Sequence, residues 1–456
     1  MLIQTINPAS GEPLSEYKML TSAEIKQKVI EAADTFVAWS QLGLQDRIQY
    51  FRQLITVLNA EKENCAVLAA LEMGKPIQFA RAEIEKCIYC CRYYIDNAED
   101  FLNKHYVATE FASSFITYQP QGSILAIMPW NFPFWQVLRF VVPTIIAGNV
   151  VLLKHASQVA GCAKKIEGLF TSADFPKGVM TNLCIAAEQV EAIIAEKSIR
   201  GVTLTGSEAV GRKVASIAGW HLKKVALELG GNDACLVLAD ANLKQAAQAI
   251  VASRLRNSGQ VCIATKRVIA DAAIHDELVQ LIRQEMQQYE MDNPLNENCN
   301  FGPMAREDLR DELDELVKKM QTDGAVLLEG GYIPAGQGFY YPPTLLINVD
   351  SSSIAFQQEL FGPVIAVSKF NDINDGIAMA NNTDYGLGGN IFSANIKLAA
   401  QLAEKTIEAG ACFVNLPVTS DPRLPFGGIK NSGYGRELSR EGMLEFMNVK
   451  TVIINE

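Results

Sequence analysis

Histidine is scarce: 456 residues hold only His105, His155, His221 and His275, and none sits in a loop resembling the partner of a catalytic thiol or hydroxyl. A hydrolase built on a nucleophile and an imidazole base is disfavoured, so a reactive cysteine would have to work with a carboxylate and an amide. Long apolar runs are missing too. No stretch reaches the roughly 18 uncharged apolar residues of a membrane span, and the opening MLIQTINPASGEPLSEY lacks the basic-then-apolar order of an export signal. A cytoplasmic location is expected. Positive charge is in deficit, 40 Lys and Arg against 51 Asp and Glu for a net −11, and the basic residues are scattered. Nucleic acid and anionic membranes are disfavoured as partners, and an anionic ligand has to meet a few well-placed basic groups. The ten cysteines lack the paired C-x-x-C repeats of a zinc site: Cys87 and Cys90 have that spacing, but no second Cys/His pair lies nearby in sequence, so no metal is expected. Cys87, Cys90 and Cys91 cluster with Ile84, Ile88 and Ile95 at helical spacing, which reads as one buried face with reduced thiols. Internal repeats, low-complexity tracts and a Pro-, Ser- or charge-rich linker are also absent.

With 49% hydrophobic and 20% charged residues, the chain can bury a large interior. At roughly 150 residues per domain its length suggests about three structural units. Thr21 and Glu24 form a capping box ahead of Ile25, Val29, Ala32 and Phe36, and the pattern stays helical to about residue 102. Residues 105–118, rich in aromatic and β-branched side chains, read as a strand or hairpin arm leaving the body, ended by a turn at Gln119-Pro120-Gln121-Gly122. Strand and helix then alternate: strand Ser123 to Met128, a loop through Phe132, a helix closing at Gly148-Asn149, and strand Val150 to Leu153 ending at Lys154. Helix 158–172, strand 179–184, helix 188–196, strand 201–205, a helix opening at Ser207 and strand Val225 to Leu229 follow. A second alternating series runs from Gly231 to about residue 415. This rhythm predicts right-handed parallel α/β sheets with ligands at the carboxyl ends of the strands.

Three constellations at such ends could carry chemistry. Gly206 and Ser207, within Leu204 to Gly211, follow a strand and open a helix, where backbone N–H groups receive phosphate. The spacing is neither G-x-G-x-x-G nor a P-loop, and an ordinary serine N-cap is the plainer reading. In Asn257-Ser258-Gly259-Gln260-Val261-Cys262 a thiol follows a glycine turn, either exposed with its pKa lowered by local dipoles or inert as a small hydrophobe. Glu228 ends an apolar strand, placed to act as a base toward water or to pair with Lys223 or Lys224.

Taken in order, Pro129-Trp130-Asn131-Phe132-Pro133, Lys154, Thr205-Gly206-Ser207, Glu228-Leu229-Gly230-Gly231, Gly259-Gln260-Val261-Cys262, Glu359-Leu360-Phe361-Gly362-Pro363 and Pro425-Phe426-Gly427-Gly428 resemble the aldehyde dehydrogenase superfamily. Within it the likeness is to the succinate semialdehyde dehydrogenases. The resemblance implies a Rossmann-like parallel-sheet cofactor domain over 1–103 and 119–230, an α/β catalytic domain over 231–427, and a small β oligomerisation arm of 104–118 and 436–456. Homodimers or homotetramers form through that arm in the family. It further implies that Cys262 attacks an aldehyde, that Asn131 and the Cys262 N–H hold the oxyanion, and that Glu228 activates the hydrolytic water. NAD or NADP would be held by Trp130, Lys154, Gly206, Ser207, Glu359 and Phe361. Ser157 stands where many NAD-preferring relatives carry a glutamate, which leaves NADP admissible. Ala264 stands where some members carry a second cysteine.

Arg139, Arg256 and Ser420 match the carboxylate-binding set of the semialdehyde enzymes, unless the two arginines pair with acids between domains. A small acidic aldehyde needs such donors, because an unpaired carboxylate in a closed pocket is costly. Succinate semialdehyde is the expected substrate. Other ω-semialdehydes such as glutarate semialdehyde, a broader aldehyde range, a catalytically silent relative and a cysteine esterase or amidase are the alternatives.

Overall fold

The computed structural model describes residues 1–455. Helices α1 (Ser22–Trp39), α2 (Leu44–Ala60), α3 (Lys62–Met73) and α4 (Ile77–Leu102) open the body. The box at the head of α1 closes both ways: the Glu24 N–H donates to Thr21 Oγ1 at 3.3 Å and the Thr21 N–H to the Glu24 carboxylate at 2.7 Å. Cys87, Cys90 and Cys91 lie fully buried on α4. Burial pushes their thiols up, so they are protonated and inert.

The first sheet is built from β1 (Ser123–Met128), β2 (Val150–His155), β3 (Met180–Asn182), β4 (Ile199–Thr205) and β5 (Lys224–Glu228). Helices α5 (Trp135–Ile146), α6 (Ala160–Ser172) and α7 (Glu208–Trp220) lie between successive strands. Its strands are apolar almost throughout, as strands covered on both faces must be. Their order is β5-β4-β1-β2-β3, all parallel, with Gly433–Tyr434 pairing antiparallel outside β5. The chain climbs outward from β1 to β3, then restarts on the other side of β1 at β4. The loops leaving β1 and β4 therefore diverge over a crevice at their carboxyl ends.

The second sheet takes β6 (Ala234–Val237), β7 (Arg267–Asp271), β8 (Val326–Glu329), β9 (Thr344–Ile347), β10 (Val364–Phe370), β11 (Gly388–Phe392) and β12 (Ala411–Val414). Its order is β8-β9-β10-β7-β6-β11-β12, parallel except for the β8–β9 pair. Helix α8 (Leu243–Leu255) leads from β6 toward the Cys262 loop.

The arm is a hairpin, one of the two forms expected from sequence: His105–Tyr106 and Ser113–Pro120 pair antiparallel across a loop. The turn expected from Gln119 onward does not form at Gln119 and Pro120. Both residues stay in the strand because they pair with Asn448 and Met447 of the C-terminal strand Met447–Ile454. The strand expected over 179–184 contracts to β3, where Met180 to Asn182 pair with Val151 to Leu153 of β2, the flanking Val179 carbonyl and Leu183 N–H closing the ladder on Val151 and Leu153. Among the described residues no helix is long and apolar enough to cross a membrane.

Candidate active site

The nucleophile loop is shaped by three consecutive residues in the left-handed region: Asn257 (φ 54), Ser258 (φ 53) and Gly259 (φ 77). Glycine adopts this freely, whereas the other two must be held there. Asn257 Nδ2 donates to the Asn131 carbonyl at 2.9 Å, and Ser258 Oγ donates to the Gly302 carbonyl at 2.7 Å. A Cβ on Gly259 would fall on the backbone of Gly362. The turn delivers Cys262 half-buried. Fully buried Lys266 reaches back beneath it, donating to the Val261 carbonyl at 3.1 Å and the Cys262 carbonyl at 2.5 Å, and pairs with Glu359 at 3.2 Å.

A thiol lowered by local dipoles is not what the loop holds. Desolvation pushes Cys262 up to about 12, and the opposing charges of Arg139 and Lys266 do not offset it. Asn131, buried after β1, donates one amide N–H to the Gln260 carbonyl at 3.0 Å. The amide carries two such hydrogens, so one remains for an oxyanion. The loop around it is pinned by buried His155. Its Nε2 lies 2.9 Å from the Pro133 carbonyl and its Nδ1 3.2 Å from the Met128 carbonyl, to which the Ala156 N–H already donates at 3.0 Å, so the ring ties the ends of the loop together through backbone carbonyls. Desolvation pushes this imidazole down to about 4, which keeps it neutral.

Glu228, at the end of β5, is buried and neither carboxyl oxygen has a hydrogen-bond partner among the described residues. Pairing with Lys223 or Lys224 does not occur. Lys223 donates to the carbonyls of Glu196 and Ile199, and Lys224 pairs with Glu445 at 3.2 Å. Burial first and neighbouring Glu437 second hold the Glu228 carboxyl well above the usual range, against the pull of Arg139 and Arg436. Its neutral form is thereby favoured, and it becomes a base once it loses its proton.

One cavity is lined by Cys262, Arg139, Arg256, Ser420, Phe132, Trp135 and Phe426, with Lys86 and Glu83 from α4. It brings together all three residues of the expected carboxylate set. Arg139 is not free there: its Nε pairs with buried Glu437 at 2.5 Å. The pairing of this arginine with an acid, the competing reading from sequence, thus takes up part of its guanidinium, while Nη2 has no hydrogen-bond partner among the described residues. Ser420 Oγ accepts from Lys86 Nζ at 2.7 Å.

The residues expected at a dinucleotide lie on the carboxyl edge of the first sheet. Register sets Lys154 beside Ile127 and Thr205 beside Glu228. Lys154 is half-buried, has no carboxylate within ion-pair distance among the described residues, and is pushed down by desolvation. Ser207 occupies the N-cap of α7, as the plainer reading expected, but its hydroxyl makes no capping hydrogen bond, so among the described residues no side chain caps the first-turn N–H groups from that position. Ser157 is exposed just beyond β2. Trp130 and Phe361 meet edge-on with ring centroids 5.8 Å apart. Glu359 also accepts from the Gly231 N–H at 3.3 Å, and a Cβ on Gly230 would strike its carboxylate. An unpaired cation, an open helix N-terminus and an aromatic pair fit a ribose, a pyrophosphate and a ring.

Lys86, Lys266 and Glu437 escaped the sequence reading. Two adjacent cations, Lys266 and Arg267, heading a strand of apolar residues were a visible signal that a charge is buried there. For Lys86 there was none.

Fold and site together define a member of the aldehyde dehydrogenase family, whose model matches residues 1–452, and the chain belongs to it. Over 454 residues, all of both chains, it is 42% identical to a probable succinate-semialdehyde dehydrogenase of Synechocystis whose name specifies NADP(+). It is also 42% identical over 448 residues, 98% of this chain and 97% of the other, to the Escherichia coli succinate semialdehyde dehydrogenase Sad, named for NAD(P)+. The crystal structure of succinic semialdehyde dehydrogenase from Streptococcus pyogenes in complex with NADP+ matches all of both chains with a TM-score of 0.97 at 35% identity.

Proposed function

We propose that this chain oxidises succinate semialdehyde to succinate with NADP or NAD, acting in the cytoplasm as a homo-oligomer. The supporting observation is the cavity that sets Arg139, Arg256 and Ser420 around Cys262. In this reading the Cys262 thiolate adds to the aldehyde carbon, and the alkoxide formed is held by the free Asn131 amide hydrogen and the Cys262 N–H. A dinucleotide held by these residues would supply the oxidised nicotinamide needed to take a hydride from that carbon. The Cys262 thioester is then attacked by water, Glu228 takes the water's proton, and the thiolate departs as the acid forms. One aldehyde, one oxidised cofactor and one water thus yield one acid, one reduced cofactor and one proton. Lys154 and Ser207 would hold the adenosine ribose and the pyrophosphate, and Glu359 the nicotinamide ribose, with 1–103 and 119–230 as the cofactor domain and 231–427 as the catalytic one.

Initial rates with succinate semialdehyde, glutarate semialdehyde and butanal, each with NAD and with NADP, test this. Succinate semialdehyde should exceed butanal by about 30-fold or more in kcat/KM, the worth of a desolvated carboxylate's partners. Equal rates would reduce the reading to an aldehyde dehydrogenase without acid selectivity. Parity of the two semialdehydes would widen it to ω-semialdehydes, since one methylene is worth only about 1–3 kcal/mol.

A further inference from the structure

The cavity beside Cys262 has a charge count that does not close. Glu83 accepts from the N–H groups of Phe134 and Trp135 at 2.8 and 2.9 Å and pairs with fully buried Lys75. Arg139 pairs with Glu437, and Asp421, next to Ser420, pairs with Arg423 at 2.7 Å. Among the described residues, no carboxylate pairs with Lys86 or Arg256. Two uncompensated cations therefore face a space walled by Phe132, Trp135 and Phe426. Lys86 Nζ is held over the Trp135 ring, 4.3 Å from its centroid, and donates to Ser420 Oγ at 2.7 Å. An ammonium has three donors, and this contact uses one.

We infer that Lys86 is a further specificity-determining residue, which together with Ser420 and Arg256 binds the carboxylate end of the substrate. The inference rests on the semialdehyde reading above. It gives the hydroxyl of Ser420 a direction: with its acceptor side turned to Lys86, its own hydrogen is free for a carboxylate oxygen. It also makes recognition sensitive to pH in a way arginine alone cannot, since guanidinium keeps its proton. The groups facing Lys86 are Arg256, Arg139, Cys262, Asp421 and, on its own helix, Glu83, Cys87 and Cys90. Desolvation first, then Arg256 and Arg139, push its ammonium down to about 8, and Cys87 and Asp421 act weakly the other way. A carboxylate arriving in the cavity favours the charged form.

The test compares kcat/KM for succinate semialdehyde and butanal between about pH 6.5 and 9.5, in wild type, Lys86→Met and Lys86→Arg. For wild type, the ratio of the two substrates should fall as pH rises through about 8, because the free enzyme loses the Lys86 proton. Lys86→Met should lower the ratio by about 10- to 100-fold near pH 7 and flatten it, with butanal turnover preserved as the control for folding. Lys86→Arg should restore most of the ratio and abolish the fall. A wild-type ratio near one would overturn this inference and the semialdehyde reading together. A high wild-type ratio that Lys86→Met leaves unchanged, or equal losses on both aldehydes, would overturn the role of Lys86 alone.

Discussion

A single side chain's protonation state can decide whether this site is armed. With Cys262 pushed up to about 12 by burial, the free protein carries almost no thiolate at neutral pH. Alkylation of Cys262 by iodoacetamide, followed by mass spectrometry, should therefore be slow near pH 7 and quicken about tenfold per pH unit up to pH 10 or beyond. A rate that levels off near pH 8 or 9 would show an ordinary or activated thiol. Glu228 has the opposite dependence. Its folded-state pKa lies above the unfolded value of about 4.3, so its contribution to stability is full below that pH and is lost as pH rises through the folded pKa. Glu228→Gln should match wild type in Tm near pH 4 and exceed it increasingly as pH rises. The same substitution should slow thioester hydrolysis by about 10²- to 10⁴-fold, so that a burst of reduced cofactor precedes a slow steady state. Identical Tm values at all pH would mean that the carboxyl is solvated, and equal loss of both kinetic phases would take Glu228 out of hydrolysis. Ser157, exposed beyond β2, offers a hydroxyl without charge to a 2′-phosphate. Ser157→Glu should weaken NADP by about 10- to 100-fold in kcat/KM and leave NAD little changed; an unmoved ratio would misplace the ribose pocket.

At the scale of elements, the loop carrying Cys262 depends on Lys266, whose ammonium joins the carbonyls of Val261 and Cys262 to Glu359. Lys266→Met leaves those carbonyls and a mostly buried carboxylate without their cation, a loss of about 3–5 kcal/mol when a buried pair is broken from one side. The urea midpoint should fall and kcat with it, while a variant as stable as wild type would show that the loop holds its own shape. This dependence marks the limit of what the sequence disclosed. The strand ends bearing Asn131, Lys154, Ser207 and Glu228 were legible, because alternation of apolar runs with helices places chemistry at carboxyl ends. The closed box of Thr21 and Glu24 was legible for the same reason: it is local. Contacts between distant segments were not. Lys86 meets Ser420 across 334 positions, and nothing in a helix of mixed acids and cysteines singles it out. The state of the Cys262 thiol stayed open in the sequence, because dipoles are readable from a glycine turn, whereas the desolvation that outweighs them is set by the whole fold.

At the scale of the molecule, the arm formed by His105–Tyr106, Ser113–Pro120 and Met447–Ile454 is a three-stranded ribbon whose last strand is an open edge. Successive side chains of a strand point to opposite faces, so exposure of both Ile453 (52%) and Ile454 (47%) means that neither face of its end is covered. Tyr106, Val107, Phe111 and Val449 extend this exposed apolar surface. A thin ribbon uncovered on both sides has little reason to persist in water, and an unpaired apolar edge is a template for another strand. Since the ribbon belongs to every copy, a second copy of the chain meets both needs, in line with the homo-oligomer proposed above. Light scattering on the eluting protein should give the mass of two or four chains. Val449→Lys combined with Ile453→Lys places two charges on that surface and should shift the mass toward one chain, with the circular dichroism of the body unchanged. If the double variant keeps the wild-type mass, the copies associate through another surface and the arm owes its order to the body alone.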